Sequence, residues 1–335
     1  MIMKNIKKAE QCEFGEYNSK GEWRPPYPVK YAPLFETPQK IGVILKWLLG
    51  WPGYIWPWHL LFFGVTAATW YWFQPSLEQC RTFNVDWILY MFIRNEILIW
   101  MVCGAWHLVL YILKLQGTKQ KYDPRWQNKG NKKFLFKNQV LDNIFWTCCS
   151  AVPFWTAYEV LFMWAYANGK IPFLEWAMHP VWFVAWFFLI PVWREFHFYW
   201  VHRFLHWKPM FKRYHSLHHL NVNPGPWAGL AMHPVECFGY FSVIMIHWII
   251  PSHPLHMLFN AQLTALTPAG GHHGFEGPIL NGKVPTGSYF HYLHHRYYRY
   301  NFGECLIPFD KWFGTFHDGS FDTDPSRPWQ DIKNK

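Results

Sequence analysis

Histidines are concentrated in one part of the chain, at spacings that suit metal binding. Fifteen of the 19 histidines lie between Arg194 and His295. Most of them fall into three clusters, which are His202-x-x-x-His206, His215-x-x-His218-His219 and His291-x-x-His294-His295. On a helix, positions three and four apart share a face, so one cluster can present several imidazoles to the same place or to two neighbouring ions. The sequence therefore predicts a metal centre built from histidine nitrogens, with these eight side chains as its catalytic set.

The number of clustered histidines indicates two metal ions. Imidazole suits iron, copper, nickel and zinc alike, but a tetrahedral zinc site uses only three or four ligands. Two octahedral iron ions would use about eight to ten. The eight clustered histidines and His272 supply nine ligands, and His233 or His273 is a candidate for the tenth. We therefore expect two iron ions.

Three further polar residues are candidates for supporting the ligands. Neutral imidazoles do not cancel the charge of two metal ions, so nearby carboxylates are expected to accept hydrogen bonds from the outer ring nitrogens. Glu195 and Glu236 stand close to the clusters in sequence, and Asn301 follows the last one. The alternatives are that both glutamates lie on helix surfaces and that Asn301 forms a turn.

Composition favours a membrane protein as the carrier of this site. The chain has 335 residues, of which 51% are hydrophobic and 16% charged, and this excludes a disordered chain. Seven cysteines without a C-x-x-C pair provide neither a disulfide framework nor a thiolate metal site. A net charge of +10 suits nucleic acid or an anionic membrane surface. Long apolar segments favour the membrane, so we predict no nucleic-acid partner.

Four apolar segments are long enough to suggest transmembrane helices. They cover residues 41–73, 86–113, 144–166 and 176–193. The loop 114–143 is rich in lysine and is predicted to be cytosolic by the positive-inside rule, which also places the histidine clusters on the cytosolic side. Two shorter apolar segments, 235–250 and 255–269, are separated by prolines and predict a hairpin that dips into one leaflet.

We therefore predict an all-α integral membrane protein with about four transmembrane helices, a re-entrant hairpin and a cytosolic histidine-rich helical cap. The predicted regions are a cytosolic N-terminal segment (1–40), a transmembrane region (41–192), a catalytic domain (193–316) and a C-terminal tail (317–335). The alternative is a soluble protein whose apolar segments are core helices.

The order of the motifs resembles the fatty acid hydroxylase superfamily, which includes sterol desaturases and methylsterol oxidases. Besides the three clusters, the resemblance rests on His233-Pro-Val-Glu236, His272-x-Gly-Phe275 and Asn301-Phe-Gly303, and it covers Trp193 to Gly314. It departs from the family at Glu195, where Asp is common, and at Phe302, where Tyr is common. The resemblance implies two iron ions, O2 as co-substrate, and hydroxylation or desaturation of an unactivated C–H bond in a lipid.

The resemblance also suggests a substrate class. The motifs around His233 and His272 are more similar to the sterol-oxidising branches than to the branch that hydroxylates sphingolipid acyl chains, so we expect a sterol, with an acyl lipid as the alternative. Four aromatic residues are candidates for lining the substrate channel, although packing against lipid is an equal alternative. They are Trp227, Tyr240, Phe241 and Tyr289.

Electrons are expected to come from an external donor, because the chain has no G-x-G-x-x-G after a strand and no haem-binding H-P-G-G. A cytochrome or a ferredoxin with its reductase would suit the basic cytosolic face, as would anionic lipid. That face includes Lys208, Lys212, Arg213, Arg296 and Arg299. We expect the endoplasmic reticulum membrane in a eukaryote or the inner membrane in a bacterium.

Two alternatives belong to other functional classes. A histidine-rich membrane protein can be a metal transporter, but transporters place ionisable residues at the bilayer midplane, whereas these clusters follow the spans. A metal-free interaction protein would be expected to have lost some of the clustered histidines, and all eight are present.

Overall fold

The structure is a computed structural model that describes residues 15–17, 22–25 and 29–319. A small antiparallel ribbon pairs β1 (Glu16–Tyr17) with β2 (Trp23–Arg24). Elsewhere in the described ranges the regular elements are helical. The prediction of a helical protein is therefore confirmed, while most of the N-terminal segment and of the C-terminal tail lies outside the described residues.

Twelve α-helices occur in the described residues. In chain order they are α1 (Ile41–Leu49), α2 (Leu60–Phe73), α3 (Val85–His107), α4 (Gln139–Trp146), α5 (Val152–Ala167), α6 (Pro180–Leu205), α7 (Lys208–Met210), α8 (Pro234–Phe241), α9 (Pro254–Leu266), α10 (Pro268–Gly271), α11 (Tyr289–Tyr297) and α12 (Phe309–Trp312). Wider π-helical turns continue or precede several of them, at Ile55–His59, Leu108–Ile112, Thr147–Ala151 and Phe211–His215. Tighter 3-10 segments include His218–Leu220, Pro226–Leu230 and Ser242–Trp248.

One helix in the described residues is both long and apolar enough to cross a membrane. It is α3 with its π-helical extension, Val85–Ile112, 28 residues in all. Large apolar side chains along it face outward, including Val85, Ile97 and Met101. Contiguous exposed apolar surface of this kind indicates contact with lipid or a partner. The other three spans remain predictions.

The two segments of the predicted hairpin pack against each other, and their place in a membrane stays a prediction. Its first limb is α8 and the 3-10 segment Ser242–Trp248, its second limb is α9, and every residue of α9 is buried. The turn between the limbs reaches the connector between α5 and α6, where the Ser252 hydroxyl lies 2.9 Å from the hydroxyl of Tyr166 and Ser252 pairs with Phe173. The hairpin therefore passes through the helical bundle to its far end, because α9 finds its apolar neighbours in other helices and not in lipid.

Two polar residues of the second predicted span, Arg94 and Asn95, are buried against a neighbouring helix. The Arg94 guanidinium forms an ion pair with Glu159 of α5 and donates a hydrogen bond of 2.8 Å to Asn95. The Asn95 amide in turn donates to Thr156 at 3.1 Å. Such a cluster satisfies charges that lipid would not solvate, and it ties α3 to α5.

The basic loop 114–143 packs against the histidine-bearing part of the chain. The buried ammonium of Lys121 donates to Asn223 Oδ1 at 3.0 Å and to the carbonyl of Arg125 at 2.9 Å. The ring of Tyr122 stacks on Tyr292 of α11, with ring centroids 4.7 Å apart. The loop and the clusters thus lie at the same end of the bundle, as the charge pattern predicts.

Candidate metal centre

Five imidazoles converge on a first point at the C-terminal end of α6. They belong to His202, His206, His215, His219 and His294, and their ligand atoms all lie within 4.8 Å of one another. The Nε2 atoms of His206 and His215 are 3.0 Å apart, and that of His219 lies 3.0 Å from His215 and 3.1 Å from His206. We call these five residues the first group.

Four further imidazoles form a second group beside the first. They belong to His218, His272, His291 and His295. The Nε2 atom of His272 lies 2.9 Å from that of His291, 3.0 Å from that of His295 and 3.4 Å from that of His218. The rings of His219 and His295, one from each group, have centroids 4.8 Å apart, so the two groups are neighbours.

Adjacent histidines in the clusters are divided between the groups. His219 and His294 belong to the first group, whereas their sequence neighbours His218 and His295 belong to the second. The cluster at 291–295 lies on α11, which ends where Tyr298 turns left-handed at φ 61°. The cluster at 215–219 instead lies on the π-helical turn and the 3-10 segment that follows it. Each of these two clusters thus supplies both groups, as the spacing predicts, although only the cluster at 291–295 is α-helical.

The outer nitrogens of four rings are held so that the inner nitrogens can act as ligands. The Nδ1 of His215 donates to Glu236 Oε1 at 2.7 Å. Backbone carbonyls accept from the other three: Phe302 from His202 at 2.8 Å, Tyr300 from His294 at 2.7 Å, and Pro268 from His272 at 2.9 Å. A proton fixed on Nδ1 leaves the Nε2 lone pair pointing into the group.

Burial keeps the rings neutral, which is the form that binds a metal. Loss of solvation, reinforced for most of them by neighbouring histidines, holds the pKa of seven rings well below the usual range. They are His202, His206, His218, His219, His291, His294 and His295. Burial also lowers the pKa of His272 to about 4, even though its bond to Pro268 acts in the opposite direction.

The donor set fits a pair of octahedral metal ions. Two nitrogens bound at right angles to one ion, each at about 2.1 Å, would lie roughly 3.0 Å apart. The separations of 3.0 to 3.1 Å among His206, His215 and His219 match that value. Converging lone pairs repel one another unless a cation lies between them, so each group is suited to hold a metal ion.

Two candidate ligands, His233 and His273, are not brought to either group. His233 begins α8, and its Nδ1 accepts a hydrogen bond from the backbone of Val235 at 3.2 Å. Both ring nitrogens of His273 are engaged, with the backbone of Phe275 at 3.1 Å and with the Thr286 hydroxyl at 2.6 Å. These hydrogen bonds hold both rings away from the two groups. We therefore correct the ligand set to the nine histidines that the structure brings together.

The three predicted supporting residues lie in different places. Glu236 forms a hydrogen bond with His215, which is one of the nine candidate ligands. Glu195 is buried, and its Oε1 accepts from the backbone N–H of Glu304 at 2.8 Å instead of from an imidazole. Burial and the nearby Glu304 raise the pKa of the Glu195 carboxyl well above its usual range. Asn301 donates to the carbonyls of Phe290 at 3.1 Å and of His317 at 3.0 Å, so it joins backbone segments.

The four aromatic candidates for the substrate channel are all buried. Trp227 contacts Trp100 of α3, with ring centroids 4.8 Å apart, and Tyr240 donates to the carbonyl of Thr264 in α9 at 2.8 Å. Phe241 packs in the same main core, whereas Tyr289 packs with Tyr122 in a separate cluster. Their packing joins helices, and their role as a channel stays a prediction.

Sequence reasoning missed the backbone acceptors and the residue that holds one of them, Phe302, in place. Carbonyl groups of Tyr300, Phe302 and Pro268 leave no side-chain pattern to find. Asp310 accepts hydrogen bonds from the backbone N–H groups of Phe302 at 2.9 Å and Gly303 at 2.8 Å. The only available signal was an acidic residue close behind Asn301-Phe-Gly303.

The fold and the site together define a helical protein with a two-part histidine metal centre. Residues 187–315 match the family model described as "Fatty acid hydroxylase". This range contains the nine histidines of both groups. This part of the chain is therefore similar to the fatty acid hydroxylase superfamily.

Several curated proteins are similar to the chain. A Delta(7)-sterol-C5(6)-desaturase of Nicotiana tabacum is 29% identical over 240 residues, which are 68% of this chain and 82% of that protein. Lathosterol oxidase of Mus musculus is 33% identical over 129 residues, 37% of this chain and 42% of that protein. A Delta(7)-sterol 5(6)-desaturase of Candida glabrata is 32% identical over 133 residues, 37% of this chain and 35% of that protein. The matches to the mouse and yeast proteins thus span less than half of their lengths. No solved structure matches the chain.

Proposed function

We propose that this protein is a membrane-bound di-iron enzyme that uses O2 to desaturate or hydroxylate a C–H bond of a lipid, most favourably a sterol. The observation that carries the proposal is the convergence of nine imidazoles in two adjacent groups, at separations that suit octahedral ions. A metal transporter would place its binding residues at the bilayer midplane. The nine imidazoles instead lie at the C-terminal end of α6.

Each part of the centre has a defined task. When bound, two iron ions would supply the oxidising chemistry that removal of hydrogen from a methylene group requires. Nine imidazoles would hold them without an oxidisable thiolate. Glu236 places a negative charge behind His215 and fixes its tautomer. Seven of the nine rings are buried, which would limit the access of bulk water to the place where the C–H bond would be attacked.

The sterol assignment is supported by the relatives and by the position of the centre. The similar proteins of tobacco, mouse and yeast are named for sterol oxidation. The ligand His202 lies on α6, and the first half of that helix carries exposed apolar side chains such as Val181 and Val184. One helix thus runs from apolar surface into the centre. A lipid could therefore present one carbon to the site while most of it stays in the membrane.

The electron donor and the location are part of the same proposal. We expect an external cytochrome or ferredoxin with its reductase, acting at the cytosolic face of the endoplasmic reticulum or of a bacterial inner membrane. Lys208, Lys212 and Arg213 are exposed just before the cluster at 215–219. Their positive charge would favour an acidic electron carrier.

The test is turnover by the purified protein in lipid vesicles. It would be supplied with O2, a reductase system, and a panel of sterols and acyl lipids, with the products identified by mass spectrometry. We expect oxygen-dependent change of a sterol. Conversion of acyl chains alone would reject the sterol substrate, and no conversion of any lipid by iron-loaded protein would reject the enzymatic function. His233→Ala is a control that should keep activity.

A further inference from the structure

Three consecutive backbone N–H groups after α11 are all held by two buried carboxylates. Asp310 Oδ1 accepts from Phe302 at 2.9 Å, and Asp310 Oδ2 accepts from Gly303 at 2.8 Å. Glu195 Oε1, which comes from α6, accepts from Glu304 at 2.8 Å. The segment 302–304 is therefore clamped between α6 and α12.

There is little room for this segment to move. A Cβ atom at Gly303 would lie 2.7 Å from Glu195 Oε1 and 3.1 Å from Asp310 Oδ2. Asn301, the residue before this segment, has a left-handed backbone at φ 58°. Its side-chain amide donates hydrogen bonds to the carbonyl groups of Phe290 and His317. The carboxylates therefore approach the chain closely enough to define where its carbonyl groups point.

The carbonyl group of Phe302, within this segment, and that of Tyr300, just before it, serve only one of the two metal groups. Phe302 accepts from Nδ1 of His202, and Tyr300 accepts from Nδ1 of His294, and both histidines belong to the first group. In the second group, the Nδ1 atom of His272 donates to the carbonyl group of Pro268 among the described residues. Pro268 belongs to α10 and not to the clamped segment. The clamped segment is thus linked to one site and not to the other.

We propose that Asp310 and Glu195 are positioning residues that set the metal affinity of the first group selectively. The inference rests on the proposed function in one respect, which is that both groups bind iron. Neither carboxylate contacts an imidazole in the described hydrogen bonds. They act through the backbone, by keeping the carbonyls of Phe302 and Tyr300 behind His202 and His294. Loss of outer partners of metal ligands typically weakens metal affinity by about 10- to 100-fold.

The experiment is a titration of metal-free full-length protein with ferrous iron under anaerobic conditions. The variants are Asp310→Asn, which turns an N–H group toward a backbone N–H, and Glu195→Gln. The matched control is Asp123→Asn, because Asp123 is also buried and accepts a backbone N–H, from Arg125 at 3.0 Å, away from the centre. We expect wild type and control to bind about two ions tightly. Asp310→Asn should bind one ion as tightly and the other at least about 10-fold more weakly.

A double variant identifies which ion is affected. His291→Ala removes a ligand of the second group, so Asp310→Asn with His291→Ala should retain no tightly bound ion, while His291→Ala alone should retain one. If Asp310→Asn weakens both ions equally, or neither, the inference is wrong. If wild type itself binds no iron, the proposed function fails and the inference fails with it.

Thr315 provides a milder pair of variants in case Asp310→Asn does not fold. Its hydroxyl donates to Asp310 Oδ1 at 2.6 Å. Thr315→Val removes this hydrogen bond and should weaken one ion, whereas Thr315→Ser keeps the hydroxyl and should restore wild-type affinity. Equal iron affinity of the valine and serine variants would overturn the inference.

Discussion

At the scale of single residues, each ligand is defined by what its outer nitrogen contacts. Because His215 donates from Nδ1 to Glu236, only its Nε2 can bind a metal. Types and spacings in the sequence were sufficient to predict the nine histidines that the structure brings together. The acceptors behind His202 and His294 could not be predicted, since they are backbone carbonyls whose position depends on the tertiary fold.

Alanine substitution of single ligands should abolish turnover while the protein stays folded. This applies to His202, His215, His218, His219, His291, His294 and His295. Loss of one ligand opens a coordination position and changes the chemistry of the remaining metal. Turnover and iron content would be measured for each variant. Activity above about a tenth of wild type in most of them would contradict the assignment of these residues as shared ligands.

Substitution of Glu236 should weaken metal binding without removing a ligand. Glu236→Ala leaves the Nδ1 of His215 without its carboxylate, and we expect iron affinity to fall by about 10- to 100-fold. Glu236→Gln keeps an acceptor oxygen but loses the charge, so its effect should be smaller. Iron titration measures both. Equal affinity in wild type and Glu236→Ala would show that the carboxylate has no part in the centre.

At the scale of elements, the cross-helix pair of Arg94 and Glu159 should be important for stability. Both side chains are buried, so Glu159→Ala would leave a buried guanidinium without its counter-charge. Removal of one partner from a buried pair costs about 3–5 kcal/mol. Thermal unfolding in detergent should show a clearly lowered midpoint.

The control for that substitution is an exposed ion pair. Arg81 and Glu78 are 63% and 77% exposed, and Glu78→Ala should leave the midpoint nearly unchanged. If Glu159→Ala and Glu78→Ala have the same effect, the buried pair does not stabilise the contact between α3 and α5.

Element boundaries were predictable only in part. Apolar segments predicted where helices lie, and prolines predicted the break between Trp248 and Pro254. Hydropathy could not show that α9 is enclosed by other helices, because a core helix and a lipid-facing helix have the same composition. For the same reason hydropathy did not predict that the turn of this hairpin contacts the connector between α5 and α6. The π-helical turn before His215 also has no hydropathy signal of its own.

At the scale of the whole molecule, the loop 114–143 and the metal centre should face the same compartment. The structure places them at one end of the bundle, through the contact of Lys121 with Asn223. The lysine-rich composition of the loop favours the cytosol. A protease site inserted near the exposed Lys132 and a tag at the C-terminus should both be reached from the cytosolic side. Access to either one only from the opposite side would overturn the predicted orientation.

Iron content is the most direct test of the central claim that two adjacent histidine groups form a di-iron centre. The protein would be purified from iron-supplied cells, and its metals would be counted by mass spectrometry beside the His219→Ala and His233→Ala variants. We predict about two iron ions per chain in wild type and in His233→Ala, and fewer in His219→Ala. Wild-type protein that carries no iron, or a single zinc ion, would contradict the account.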